Sequence, residues 1–292
     1  MSAKITANFA AQVLEEHKEL RSDLDSADLF ATLKRKAKTI TVDEEDLYIV
    51  EGDLTLDEAE LEMYALQRET LRQAQTLELT AITGQPQAAV ALVGTTQAGK
   101  IVRWSAGLKL TFCVLEGTFN GAQQYQTVRG AMINATKAWE SVCGIEFEHN
   151  AALDSSPGTA NPGVTFTVRG INAGGQFIAS AFFPSDPASR RRVLIDPSYF
   201  DPNMGFNQTG VLRHELGHVL GFRHEHIRSG APAGCPDEDM FGTINLGDYD
   251  PKSVMHYFCG GVGNSDLELT ELDREGSQKV YGRPFDDFVL VG

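Results

Sequence analysis

Three histidines, a glutamate and a glycine between residues 214 and 224 can do metal chemistry: His214-Glu215-Leu216-Gly217-His218-Val219-Leu220-Gly221-Phe222-Arg223-His224. His214 and His218 are four residues apart, so on a helix both imidazoles leave the same face. Glu215 lies beside them, where a carboxylate can hold a water and take its proton. Gly221 can end the helix at positive φ and turn the chain. That turn returns His224 as a third nitrogen ligand. Three protein ligands leave a fourth tetrahedral position open, as a catalytic zinc ion needs and a structural one does not. Histidines four apart are most often packing or surface residues, but five fixed positions in eleven separate this segment from that background.

A second element follows about thirty residues later, Ser253-Val254-Met255-His256-Tyr257. Alone, its methionine would read as core filler. Together the two segments match the metzincin signature of a zinc motif followed by a Met-turn. The chain resembles a metzincin metalloendopeptidase, and its details resemble the astacin family. Glu225 directly follows the third histidine, as in astacins. Gly221 to Arg228 is similar to the astacin run Gly-Phe-x-His-Glu-x-x-Arg, and Ser253 to Tyr257 to the astacin Ser-x-Met-His-Tyr. The resemblance is strong over roughly residues 205–260 and weak from 100 to 205, where residues 178–200 look more like a matrixin. Ser229-Gly230 depart from the acidic residue and further arginine that astacins carry after Arg228.

The resemblance implies a role for each residue. His214, His218 and His224 would bind one catalytic Zn2+. Glu215 would be general base and then proton shuttle. Tyr257 would be a displaceable fifth ligand that swings to stabilise an oxyanion. Met255 would form an apolar floor under the metal, supporting the ligands. Astacin propeptides carry Phe-x-Gly-Asp, whose aspartate caps the zinc. Val50-Glu51-Gly52-Asp53-Leu54 is similar, with Val50 in place of the aromatic, and makes Asp53 a fourth metal ligand in a latent form. The alternative is a plain Glu-Gly-Asp turn after a strand. In mature astacins the counterpart of Glu225 contacts the new N-terminus. His226 and His256 read as non-ligands, His17 and His149 as surface or structural residues. The implied function is a zinc metalloendopeptidase acting on protein or peptide substrates. An idle zinc-binding or adhesive domain and a non-peptidase zinc hydrolase are the alternatives; Glu215 argues against the first and the Met-turn against the second.

Composition agrees with a globular chain: 292 residues, 42% hydrophobic and 22% charged. A net charge of −15 argues against nucleic acid and anionic membranes as partners. No apolar run approaches the roughly eighteen residues of a membrane helix. Met1 to Phe9 contains no apolar stretch of signal-peptide type. The four cysteines, Cys113, Cys143, Cys235 and Cys259, favour two disulfides, 113–143 and 235–259, and a secreted or extracytoplasmic location. Four buried thiols are the alternative.

The chain organises into an α+β fold. Residues 1–80 read as mainly helical, with a short strand at Leu47–Val50 and a helix over 56–78. Residues 84–100 read as a linker. The resemblance of Val50–Leu54 to an astacin propeptide implies that residues 1–100 are a pro-segment and linker, and 101–292 the catalytic domain. The N-terminal third has no cysteine, so a cysteine switch is impossible. A strand at Trp104–Leu115, a helix at 124–142, strands near 145–148, 164–168 and 193–195, and a zinc helix capped at Asn207 or Thr209 follow. That order suits a metzincin catalytic domain: a twisted mixed sheet, the zinc helix, and an irregular C-terminal subdomain with a last helix near 270–281. Residues 174–181 are the expected substrate-pairing edge.

Overall fold

A computed structural model describes residues 26–78, 92–97, 100–228, 230–236, 240 and 242–287. His17 and much of the 84–100 stretch lie outside the described residues. The chain divides into two compact units, Met1–Gln87 and Ala88–Gly292.

The first unit has helix α1 (Ser26–Lys36), strands β1 (Lys38–Val42), β2 (Glu45–Val50) and β3 (Leu54–Leu56), and helix α2 (Glu58–Glu78). The strands form an antiparallel sheet in the order β1-β2-β3. Asp43 and Glu44, with φ of 54° and 66°, make the tight turn whose twist suits a two-residue hairpin. Asp57 and Glu60 exchange backbone-to-carboxylate hydrogen bonds at the start of α2, a capping box. Tyr48, Val50, Leu61 and Tyr64 form the buried core of the unit. The described part of the segment is mainly helical, but the expectation of one strand is corrected to three. Lys38-Thr-Ile-Thr-Val42 alternates inward and outward as a strand must, and β3 is only three residues long.

In the second unit the main sheet runs β7 (Glu146–His149), β6 (Lys109–Val114), β8 (Phe166–Gly170), β10 (Arg192–Ile195), β9 (Ala179–Ser180). Its pairs are parallel except β9 against β10. Parallel neighbours need a crossover, and α3 (Ala122–Glu140) supplies it between β6 and β7. One face of α3 buries Tyr125, Val128, Met132, Ala135 and Trp139, spaced three and four apart. Against it lies α4 (Gln208–Val219). A second, smaller sheet joins β4 (Val93–Gln97), β5 (Lys100–Ile101), β11 (Phe222–Arg223) and β12 (Thr243–Asn245). Val93–Gln97 is thus a strand inside the stretch read as linker. The last helix, α5, is Glu271–Tyr281. Among the described residues no helix is long and apolar enough to cross a membrane.

The cysteines divide. Cys235 and Cys259 are bridged, with Cα atoms 4.9 Å apart. Cys113 and Cys143 are free and buried, which corrects the expected second bridge. Cys113 packs with Leu115 and Val164, whereas Cys143 belongs to the main core with Trp139. The two thiols sit in different apolar clusters. His149 is structural: Nε2 lies 2.9 Å from Asp154 Oδ2, which also accepts from Tyr125 Oη at 2.7 Å.

Two indoles brace α4. Trp139 Nε1 donates to the Arg213 carbonyl at 2.9 Å and Trp104 Nε1 to the Val219 carbonyl at 2.8 Å. Trp139 is fully buried and stacks on Phe222 at 5.6 Å. Trp139→Ala should therefore lower the unfolding free energy by about 3–5 kcal/mol, the range for truncating a buried aromatic. Urea unfolding followed by circular dichroism checks this; a midpoint equal to wild type contradicts it.

Candidate metal centre

Helix α4 starts at Asn207, whose side chain accepts from the Gly210 N–H at 3.0 Å. The Asn207 alternative for the cap is the one realised. The helix carries His214 and His218 one turn apart, ring centroids 5.0 Å from each other. It stops at Gly221, with φ of +93°. A Cβ there would lie 2.9 Å from the Val102 carbonyl, so both conformation and space call for glycine. The chain reverses through β11 and brings His224 back, its ring 4.8 Å from His218 and 5.3 Å from His214. One ligand atom of each histidine lies within 4.8 Å of the others.

Which ring nitrogens face inward follows from the hydrogen bonds. His214 Nδ1 is 2.7 Å from the Val254 carbonyl and His218 Nδ1 is 2.8 Å from the Phe222 carbonyl. A carbonyl only accepts, so both Nδ1 atoms carry the proton and both Nε2 atoms present a lone pair. His218 Nε2 stands 3.2 Å from His224 Nε2. Neutral imidazoles anchored at one nitrogen and converging at the other are what a metal ligand set requires. Three buried nitrogen donors fit zinc better than calcium or magnesium, which take oxygen. Glu215, the residue after His214 in the same helical turn, is buried too.

The Met-turn closes the site from below. Glu225 N–H donates to the Met255 carbonyl at 2.8 Å, tying the third-histidine loop to the turn. Met255 packs against the zinc helix at Gly217: a Cβ on that glycine would fall 2.2 Å from Met255 Sδ. Tyr257 joins the cluster, its ring 4.3 Å from His224 and 5.9 Å from His214.

A matrixin family model matches residues 103–231. The Caenorhabditis elegans "Zinc metalloproteinase nas-3" is 28% identical over 47% of this chain and 48% of its own length. An "Astacin-like metalloendopeptidase" of Gallus gallus is 45% identical over 62 residues, 16% of this chain and 15% of that one. Over residues 103–231 the chain is similar to zinc metalloproteinases of the metzincin type. The matches cover about half or less of the length of these curated relatives. A solved structure of myroilysin, at 19% identity, covers 62% of this chain and 96% of its own, with a TM-score of 0.43.

The other residues singled out in the sequence settle around this frame. His256 lies outside the triad: Nδ1 donates to the Tyr257 carbonyl at 2.5 Å and Nε2 accepts from Tyr249 Oη at 2.8 Å. His226 is not in the ligand cluster either; its ring stacks on Tyr257 at 4.5 Å and on His224 at 5.1 Å. Glu225 Oε1 accepts from Arg228 at 2.7 Å and from the Asp250 N–H at 3.0 Å. Burial pushes the Glu225 carboxyl up to about 8, against the pull of Arg228. Asp53 belongs to the N-terminal unit, directly after Glu51 and Gly52, both at positive φ, in the turn from β2 to β3.

Sequence reasoning passed over Gly217. Its signal is a glycine inside a helix, where alanine would be about 1 kcal/mol better. Here the sign reverses. Gly217→Ala gains that propensity but drives a methyl into Met255, and overpacking costs about 1–3 kcal/mol. The variant should unfold at lower denaturant than wild type; a higher midpoint contradicts the packing of Met255 under the helix.

Proposed function

We propose that this chain is a zinc endopeptidase made in a latent form. The observation that carries the reading is the pair of Nδ1 anchors, which turns the Nε2 atoms of His214 and His218 toward His224. His214, His218 and His224 would hold the ion, leaving a coordination position for water and substrate. When bound, zinc acidifies water and polarises a peptide carbonyl.

The chain's own residues do the rest. Glu215 takes the proton from the attacking water and later delivers it to the leaving amine. Tyr257 donates its hydroxyl hydrogen to the developing substrate oxyanion, a charge best stabilised by a donor already in place. The packing of Tyr257 against His224 and His226 supports that role. Met255 keeps the helix and triad in register. Substrate would lie extended along β9, the terminal strand of the main sheet, adding one more strand to it.

Residues 1–100 serve as pro-segment and linker in this reading, and 101–292 as the catalytic domain. Asp53 would occupy the position meant for water. A carboxylate is a good zinc ligand, and Gly52 at φ 92° allows close backbone approach. An intramolecular ligand blocks strongly while tethered and weakly once the chain between the units is cut. The Cys235–Cys259 bridge supports work in an oxidising, extracytoplasmic compartment.

Wild type and Glu215→Ala are compared for zinc content and casein cleavage after removal of the N-terminal unit. Both should hold one zinc, and Glu215→Ala should lose about 10²- to 10⁴-fold in kcat/KM. Equal zinc with no cleavage by either protein rejects the peptidase reading. In the full chain, Asp53→Ala should cleave casein without processing, whereas equal latency of the two rejects the aspartate cap.

A further inference from the structure

Ser253 belongs to the Met-turn pattern but has no part in the reaction proposed above. It is fully buried, and its hydroxyl donates to Asp273 Oδ1 at 2.5 Å. The other oxygen of that carboxylate accepts from the Val254 N–H at 2.9 Å and the Thr270 N–H at 3.0 Å. Asp273 has no exposed surface. It stands in the first turn of α5, where it forms a capping box with Thr270.

A helix cap explains only part of this. The box needs the Thr270 hydroxyl on the Asp273 N–H, at 3.1 Å, and the carboxylate on the Thr270 N–H. The bonds to Ser253 and Val254 are additional, and they lead to the metal centre. Val254 is held at its N–H by Asp273, and its carbonyl receives His214 Nδ1–H at 2.7 Å. Downstream, the Met255 carbonyl is held by the Glu225 N–H. The Val254 carbonyl therefore points where two buried tethers place it.

We infer that Asp273 is a positioning residue for the metal centre, fixing through the Val254 backbone the tautomer and orientation of His214. A first-turn residue of the last helix thereby tunes the affinity of a site on α4. The inference rests on His214 being a zinc ligand. Groups that orient a ligating histidine typically contribute about 10- to 100-fold in metal affinity.

The test uses the full chain, with zinc Kd from chelator competition and Tm of the metal-free protein. Thr270→Ala is the control: it removes the cap hydroxyl, and with it the 2.6 Å bond to Asp250 Oδ2, but leaves the Ser253 and Val254 bonds to Asp273 in place. Both Thr270→Ala and Asp273→Ala should lower the metal-free Tm. Only Asp273→Ala should also raise the zinc Kd, by about 10- to 100-fold. A lowered Tm with an unchanged zinc Kd in Asp273→Ala makes it a cap alone and overturns the inference. If Asp273→Ala does not fold, Ser253→Ala removes one tether instead, and an unchanged Kd there has the same force. A wild-type chain that binds no zinc would defeat the metal reading itself, a different result from either.

Discussion

The hydrogen bond from His214 Nδ1 to the Val254 carbonyl joins residues forty apart and decides the chemistry of the site. Without it, the proton could sit on either nitrogen of a buried imidazole. With it, Nε2 is the lone-pair atom. The Phe222 carbonyl does the same for His218 from the turn that ends the helix. Both acceptors are backbone atoms, so the geometry of the ligands is set by the path of the chain more than by neighbouring side chains. The helix, the glycine turn and the Met-turn all have to be placed before the histidines can converge.

That placement explains the heavy packing around α4. Indole donors from Trp139 and Trp104 reach carbonyls at the middle and end of the helix. Met255 occupies the groove that Gly217 leaves. The Arg228–Glu225–Asp250 bonds hold the loop after His224, and the Cys235–Cys259 bridge joins the segments on either side of β12. Each would be an ordinary core device elsewhere. Here they limit the rotational freedom of three imidazoles and a carboxylate.

Much of the metal centre was legible because its information is local. A helical repeat of four, a glycine stop and a third histidine lie within eleven residues, and the Met-turn within five. The order of elements from β6 to α4 was legible from hydrophobic periodicity. What stayed hidden depends on partners distant in sequence. Cys113 and Cys143 have the composition of a bridge but face different clusters. Asp154 becomes a partner of His149 and Tyr125 only when the turn at Ala151–Leu153 and α3 meet the sheet. Asp273 reads as a helix cap until the Met-turn folds onto it. Val93–Gln97, with a glycine and two threonines, has too little apolar signal to stand out from a linker, and pairing with β11 and β12 makes it a strand.

The central claim is that the triad binds zinc through Nε2 of all three histidines. Anomalous diffraction at the zinc edge from crystals of this chain tests it most directly. The account predicts one peak, about 2.0–2.1 Å from Nε2 of His214, His218 and His224. A peak on Nδ1 of His214 or His218, or zinc bound away from the triad, would contradict it.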